Sequence, residues 1–359
     1  MAALLAFVLA SVIVAARWSS IDPSGAPEAH PFVSLYDPPV NAAEVMLNVG
    51  DGQAFAAIAQ DPTFARPTVF NSFAPGVSQE AEAAYRAQRP LFGWLGWLAS
   101  AGRPAAVPVA LMALTVLGAA LLTAAAGLLA TVVRRRGDLA TLAVLAPGSV
   151  AVLAHVGPEG LATGLAALGV LLWTRSPRSA VLLLTMAVLA RETLVLFPLA
   201  LGIVELSRGR RRGVWPLLVP AGTWLVWLVV VHARLGAWPS EGGTARLALP
   251  FAGLLEGMAR WSVVDACLFA AGAVLAVAAV ARLRGVWRFV AVAHLALAAV
   301  MGPEVWAAWE GFGRVLLPLH LLGIVALLPR AAAVERRLLP EAPTGGRHDA
   351  LLRGLAVGR

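Results

Sequence analysis

The side chains of this sequence that could take part in a reaction are acids and arginines. The single cysteine, Cys267, lies in an apolar run, and the six histidines, at 30, 155, 232, 294, 320 and 348, show no metal-ligand spacing. No phosphate-binding glycine loop, dinucleotide fingerprint or nucleophile elbow is present. Carboxylates can take a proton from a hydroxyl. Guanidinium forks match a phosphate with two parallel hydrogen bonds. Proton transfer beside anion binding is therefore the chemistry to look for.

Each candidate has two readings. Asp51 stands between Gly50 and Gly52, ahead of Ala54-Phe55-Ala56-Ala57-Ile58-Ala59, as a helix N-cap or as a general base. Arg86 and Arg89, in Tyr85-Arg86-Ala87-Gln88-Arg89-Pro90, are headgroup anchors or ligands of a lipid-linked phosphate. Arg191-Glu192 interrupts an apolar run, where charge faces a cavity or a partner; it is either an ion pair stapling two helices or part of a site. Glu159 follows Gly157-Pro158 as an N-terminal helix acid or a substrate contact, and Arg314 snorkels or binds an anion. Asp51, Glu44 and Asp61 could build an oxygen site for a divalent ion, although their spacing demands none. His294 and His320, on apolar runs, read as helix–helix hydrogen-bonding residues.

These residues need a scaffold, and the composition says which kind. Of 359 residues, 59% are hydrophobic and 13% charged, with a mean hydropathy of +0.78; soluble domains carry about 45–50% apolar and about 25% charged residues. A soluble enzyme, a disordered chain and a disulfide scaffold are excluded, leaving a polytopic all-α membrane protein. The net charge of +8 arises from arginine alone, as the chain has no lysine. Because the arginines cluster at the ends of apolar runs, they read as cytoplasmic anchors in contact with membrane lipids rather than as a nucleic-acid surface.

Ten apolar runs are expected as membrane helices: Ala2–Ala16, Val107–Val133, Leu139–His155, Gly160–Trp173, Ala180–Ala190, Leu194–Leu206, Val214–Val231, Ala266–Ala281, Val286–Met301 and Val315–Leu328. The first is a signal anchor or a cleaved signal peptide. Placing Arg134–Arg136, Arg175 with Arg178, Arg208–Arg212, Arg282–Arg288 and Arg330–Arg337 on one side requires a break at Arg191-Glu192-Thr193, making a hairpin of two short helices. Both termini are then cytoplasmic. Residues 1–330 form one membrane domain, 331–359 a cytoplasmic tail, and 18–104 a large extracytoplasmic loop holding eight of the twenty acids. Loops this long tend to carry function. Within it Ala42–Gln60 is expected as a helix, and Leu91–Ala99, with Trp94 and Trp97, as a helix lying in the interface.

Several segments together resemble the GT-C fold glycosyltransferases, polytopic enzymes that use polyprenyl-phosphate-linked sugars. They are Asp51-Gly52-Gln53-x-Phe-x-x-Ile-Ala, Tyr85-Arg86-x-Gln88-Arg89-Pro90-Leu91-Phe92-x-Trp-Leu, Pro158-Glu159-Gly-Leu, Leu-Ala-Arg191-Glu192-Thr193-Leu and Gly313-Arg314-Val-Leu-Leu-Pro318. The resemblance implies a multi-pass enzyme whose active face is extracytoplasmic, with Asp51 as base. Arg86, Arg89, Glu159, Arg191, Glu192 and Arg314 would contact substrate or lipid phosphate. Some members of the family use a divalent ion and others none. The chain departs from the pattern in having Val49-Gly50 where many relatives have an aromatic residue before the aspartate. The rival readings are a non-enzymatic transporter or flippase for a lipid-linked substrate, expected to carry inverted repeats, and an inactive partner subunit.

Overall fold

The computed structural model describes residues 1–21, 35–36, 39–48, 51–65, 77–244 and 246–331. Among these every regular element is helical, with two isolated β-bridges, Arg135 to Arg330 and Leu247 to Met301. The 331–359 tail expected from the sequence lies outside the described residues except for its first position.

The amino-terminal helix α1 (Ala2–Ser19) is followed by four short helices of the first loop: α2 (Ala42–Asn48), α3 (Gly52–Gln60), α4 (Gln79–Ala87) and α5 (Pro90–Ala99). The single helix expected over Ala42–Gln60 is therefore two. Ser78 caps α4 by accepting from Ala81 N, and Pro90 opens α5, where its missing N–H costs nothing. Then come α6 (Val107–Val132), a 3-10 segment (Gly137–Leu145), α7 (Pro147–His155), α8 (Glu159–Leu172), α9 (Pro177–Ala190) and, after a 3-10 turn at Glu192–Val195, α10 (Leu196–Ser207). The remainder comprises α11 (Leu218–Leu235), the short α12 (Pro239–Thr244) and α13 (Ala252–Met258), α14 (Val263–Arg282), α15 (Val286–Ala299), α16 (Pro303–Trp306), α17 (Trp309–Val315) and α18 (Leu317–Leu327).

All ten expected runs fold as helix, but they are not equally long. Four helical stretches are long and apolar enough to cross a bilayer: Ala2–Ser19, Pro104–Val132, Arg211–Leu235 and Val263–Arg282. Two bent pairs, Gly137–Leu145 with Pro147–His155 (55°) and Trp309–Val315 with Leu317–Leu327 (70°), make six if each is one span. Helices α8, α9, α10 and α15 have 14, 14, 12 and 14 residues. At 1.5 Å per residue they reach about 18–21 Å, less than the ~30 Å of hydrocarbon. Among the described residues the protein is thus all-helical, with four to six candidate spans by length and composition.

Helix α6 forms the centre, packed against α1, α5, α8 and the 137–145 segment. Its approach to α8 relies on glycine: a Cβ on Gly118 would stand 2.7 Å from Leu161 N, and one on Gly164 3.0 Å from Leu122 N. Such close backbone contact through small residues is how helices associate where lipid is as apolar as leucine. Outer helices instead turn large apolar side chains outward, such as Leu4, Leu5 and Val8 on α1, Leu225, Val226 and Val229 on α11, and Val274 and Val277 on α14. In a bilayer these need no further burial. The contacts of Gly118 and Gly164 make α6 and α8 parallel, while the short turn over 173–176 and the packing of Gly169 on Leu184 and Ala180 make α8 and α9 antiparallel. The start of α8 and the end of α9 therefore meet at one end of the bundle. At the other end Arg135 pairs in backbone fashion with Arg330 and donates from Nη1 to Leu328 O at 3.0 Å.

Candidate functional site

The polar centre is assembled from breaks in helices. Helix α4 carries Glu82, Tyr85 and Arg86 on one face, and Arg89, one turn beyond Tyr85, is the residue before α5. Glu159 opens α8 after Val156, whose φ of 52° places a β-branched residue in the left-handed region. Strain of that kind collects at functional turns. A Cβ on Gly157 would overlap Glu159 Oε2, so a larger residue there would displace that carboxylate. Arg191 ends α9 in extended conformation and Glu192 opens the turn into α10. Arg314 lies in the last turn of α17, before the 70° bend into α18.

These residues form one ion network. Glu82 is 0% exposed and accepts from Arg86 Nε at 2.8 Å and from Arg246 Nη2 at 2.8 and 2.9 Å. Arg86 Nη1 donates to Asp51 Oδ1. The second oxygen of Asp51 faces Arg314 Nη1 at 3.5 Å and Arg89 Nη1 at 4.0 Å. Arg89 is held by a fork to Glu192, Nε to Oε2 at 2.5 Å and Nη2 to Oε1 at 2.7 Å, and donates to the Tyr85 hydroxyl at 2.8 Å. Arg191 Nη1 donates to Glu159 Oε1 at 2.9 Å, an oxygen that Arg314 also approaches, at 4.0 Å. The Arg246 guanidinium lies over the Tyr85 ring, 4.0 Å from its centroid, a favourable cation–π arrangement.

Burying these charges is costly unless each is paired, and the pairing explains their coexistence. Five guanidiniums meet four carboxylates, an excess of one positive charge when all are ionised. Burial, then the neighbouring Arg246, Arg89, Arg314 and Arg191, hold Arg86 well below the usual guanidinium range. Burial works against the charge of Arg89 too, but Glu192 and Tyr85 outweigh it and raise that group. One pole of an apolar bundle thus carries a cationic surplus around a carboxylate.

No family model matches the chain, and neither a curated protein nor a solved structure is found to be similar to it.

Asp51, Arg86, Arg89, Glu159, Arg191, Glu192 and Arg314, each singled out from sequence, fall within this network. Several of their simpler readings fail. Asp51 occupies the N-cap position of α3 but makes no side-chain cap. Arg89, with a side chain 4% exposed, is not a headgroup anchor. Arg191 and Glu192 do not staple to each other; Arg191 pairs with Glu159 and Glu192 with Arg89. Arg314 turns toward Asp51 rather than snorkelling away. His320 Nδ1 accepts from Gly148 N at 3.2 Å, joining α18 to α7, whereas His294 Nδ1 meets Val290 O of its own helix. Trp94, expected in the interface, donates to Pro62 O and packs its ring on Trp227.

Glu44 and Asp61 stand apart from the network in their hydrogen bonding. Glu44 accepts from Val40 N and Asn41, and Asp61 from Thr63 and Ala65 N. Among the described residues no three His, Cys, Asp or Glu groups could together hold a metal ion. The donor set around Asp51, richer in guanidinium than in carboxylate, suits an anion better than a cation. Sequence reasoning missed Glu82, Tyr85 and Arg246 as members. Glu82 lies four residues before Arg86, a helical-face signal that was available; Arg246 arrives from a distant loop and had no local signal.

Proposed function

We propose that this chain is a polytopic membrane glycosyltransferase of the GT-C kind, moving a sugar from a polyprenyl-phosphate-linked donor to an extracytoplasmic acceptor. The observation that carries the reading is the sharing of one buried ion network by a loop carboxylate, Asp51, and guanidiniums from helix breaks, Arg191 and Arg314. In this reading all ten helical runs cross the membrane, the short ones within a thinned wall, and both termini are cytoplasmic. Two facts support that orientation. Arg134–Arg136 and Arg330 gather at the end away from the network, where anchoring arginines belong if that end is inside. Interrupted helices are tolerated at membrane depth where they line a polar site.

The chemistry follows from the residues. Asp51 accepts the proton of the acceptor hydroxyl as its oxygen attacks the anomeric carbon from the face opposite the leaving phosphate, inverting configuration. Charge gathers on the departing lipid phosphate, and Arg86, Arg89 and Arg314 stabilise it. A positioned base contributes about 10²–10⁴-fold. Asp51→Asn is therefore expected to lower sugar transfer from lipid-linked donors by at least that range while the protein still reaches the membrane. Transfer at the wild-type rate removes Asp51 from the base role.

A further inference from the structure

A base fully engaged by two guanidiniums cannot take a proton, and the four acids of the network are not engaged equally. Glu82 is gripped by two arginines and fully buried, Glu192 by a fork, and Glu159 by Arg191 at 2.9 Å. Asp51 is different. One oxygen meets Arg86, but the other has only Arg314 at 3.5 Å and Arg89 at 4.0 Å. Its side chain is 18% exposed and does no capping work for α3. Facing it, Arg314 Nη1 is buried and makes no hydrogen bond. A buried guanidinium N–H left in that condition is costly and is expected to find an acceptor when one arrives.

Resting on the glycosyltransferase reading, we infer that Asp51 is an internal counter-ion standing on Arg86 and Arg314 in the place of a phosphate oxygen, and that the incoming lipid-linked phosphate takes over these guanidiniums and frees Asp51 for the acceptor. The charges balance in this exchange. The network carries one positive charge in excess, so a phosphodiester monoanion neutralises it without any proton having to move. A phosphate oxygen also supplies the acceptor that Arg314 Nη1 lacks. The order of events follows: the phosphate binds first, and only then is the carboxylate available as a base.

The test measures binding rather than turnover. A polyprenyl methyl phosphate, a diester carrying no sugar but a single negative charge, is titrated onto the full-length protein in detergent, wild type against Asp51→Asn and Arg314→Gln. Removing the internal competitor should tighten binding about tenfold, and removing the unpartnered donor should weaken it about tenfold, as a charge-assisted hydrogen bond implies. Asp51→Ala, which makes the same charge change with a different shape, should follow Asp51→Asn. Equal or weaker binding by both Asp51 variants overturns the exchange, since a carboxylate that merely organises the arginines would be missed. Inorganic phosphate separates the source of the anion. Displacement of the lipid only at large excess supports a lipid phosphate as ligand; displacement at parity overturns that part. The expected order of affinities across the four proteins, with no sugar transfer by wild type, retires the glycosyltransferase reading and keeps the exchange. An active enzyme whose Asp51 variants bind no more tightly does the reverse.

Discussion

The Arg89–Glu192 fork offers a quantitative test of how this site is held together. Arg89 lies between α4 and α5 and Glu192 between α9 and α10, so their pair ties the segment before α6 to the break between two later helices. Its two hydrogen bonds are 2.5 and 2.7 Å, with side chains 4% and 17% exposed. Arg89→Met keeps most of the aliphatic stem but removes the fork and the bond to Tyr85. It leaves Glu192 either charged with only Arg191 close by or protonated at a cost. Breaking one side of a buried pair costs about 3–5 kcal/mol. The residual exposure of Glu192 puts the expectation near the lower figure, about 3 kcal/mol. Glu192→Met should cost a similar amount, and the double variant should lie within about 1–2 kcal/mol of wild type, because a well-packed apolar pair can replace a buried ionic one. The coupling energy expected from the four proteins is therefore about 4–6 kcal/mol. Reversible unfolding by SDS in mixed micelles measures it. Single variants within about 0.5 kcal/mol of wild type, a size ordinary for surface changes, with no coupling, would refute the picture of a buried network pinning loop to bundle.

Two further outcomes are expected. Gly157→Ala places a methyl against Glu159 Oε2 and should swing that carboxylate off Arg191; sugar transfer should fall about tenfold or more, as small misplacements in a site do, with membrane levels unchanged, and unaffected transfer would remove Glu159 from the site. In a Cys267→Ser background, Glu80→Cys should react with a membrane-impermeant maleimide on intact cells and Ser179→Cys only after lysis, both positions being exposed. The opposite pattern would invert the topology and end the extracytoplasmic assignment.

The apolar runs, the arginine groups and the interruption at Arg191-Glu192-Thr193 were all legible in the sequence. Hydropathy, helix breaking by glycine and proline, and charge placement are local properties. A bilayer turns them directly into helices and their ends. Composition likewise excluded a soluble enzyme without reference to any contact. Run length was less informative: α8 and α10 are helical as expected, yet their 14 and 12 residues are shorter than the ~30 Å of hydrocarbon requires. The first loop was read more coarsely. Ala42–Gln60 divides into two helices, and Trp94 packs its ring on Trp227, a contact that no local pattern announced.

Partnership among the charges belongs to the folded molecule. Adjacent Arg191 and Glu192 separate to Glu159 and Arg89, and Glu82 is shared by Arg86, four residues away, and Arg246, 164 residues away. Ion pairing depends on distance through space and on the dielectric around each group, and neither is written in spacing along the chain. Sequence alone could nominate seven charged residues; bringing α4, α8, α17 and the α9–α10 turn together is what determines which carboxylate is gripped and which keeps a loosely held oxygen.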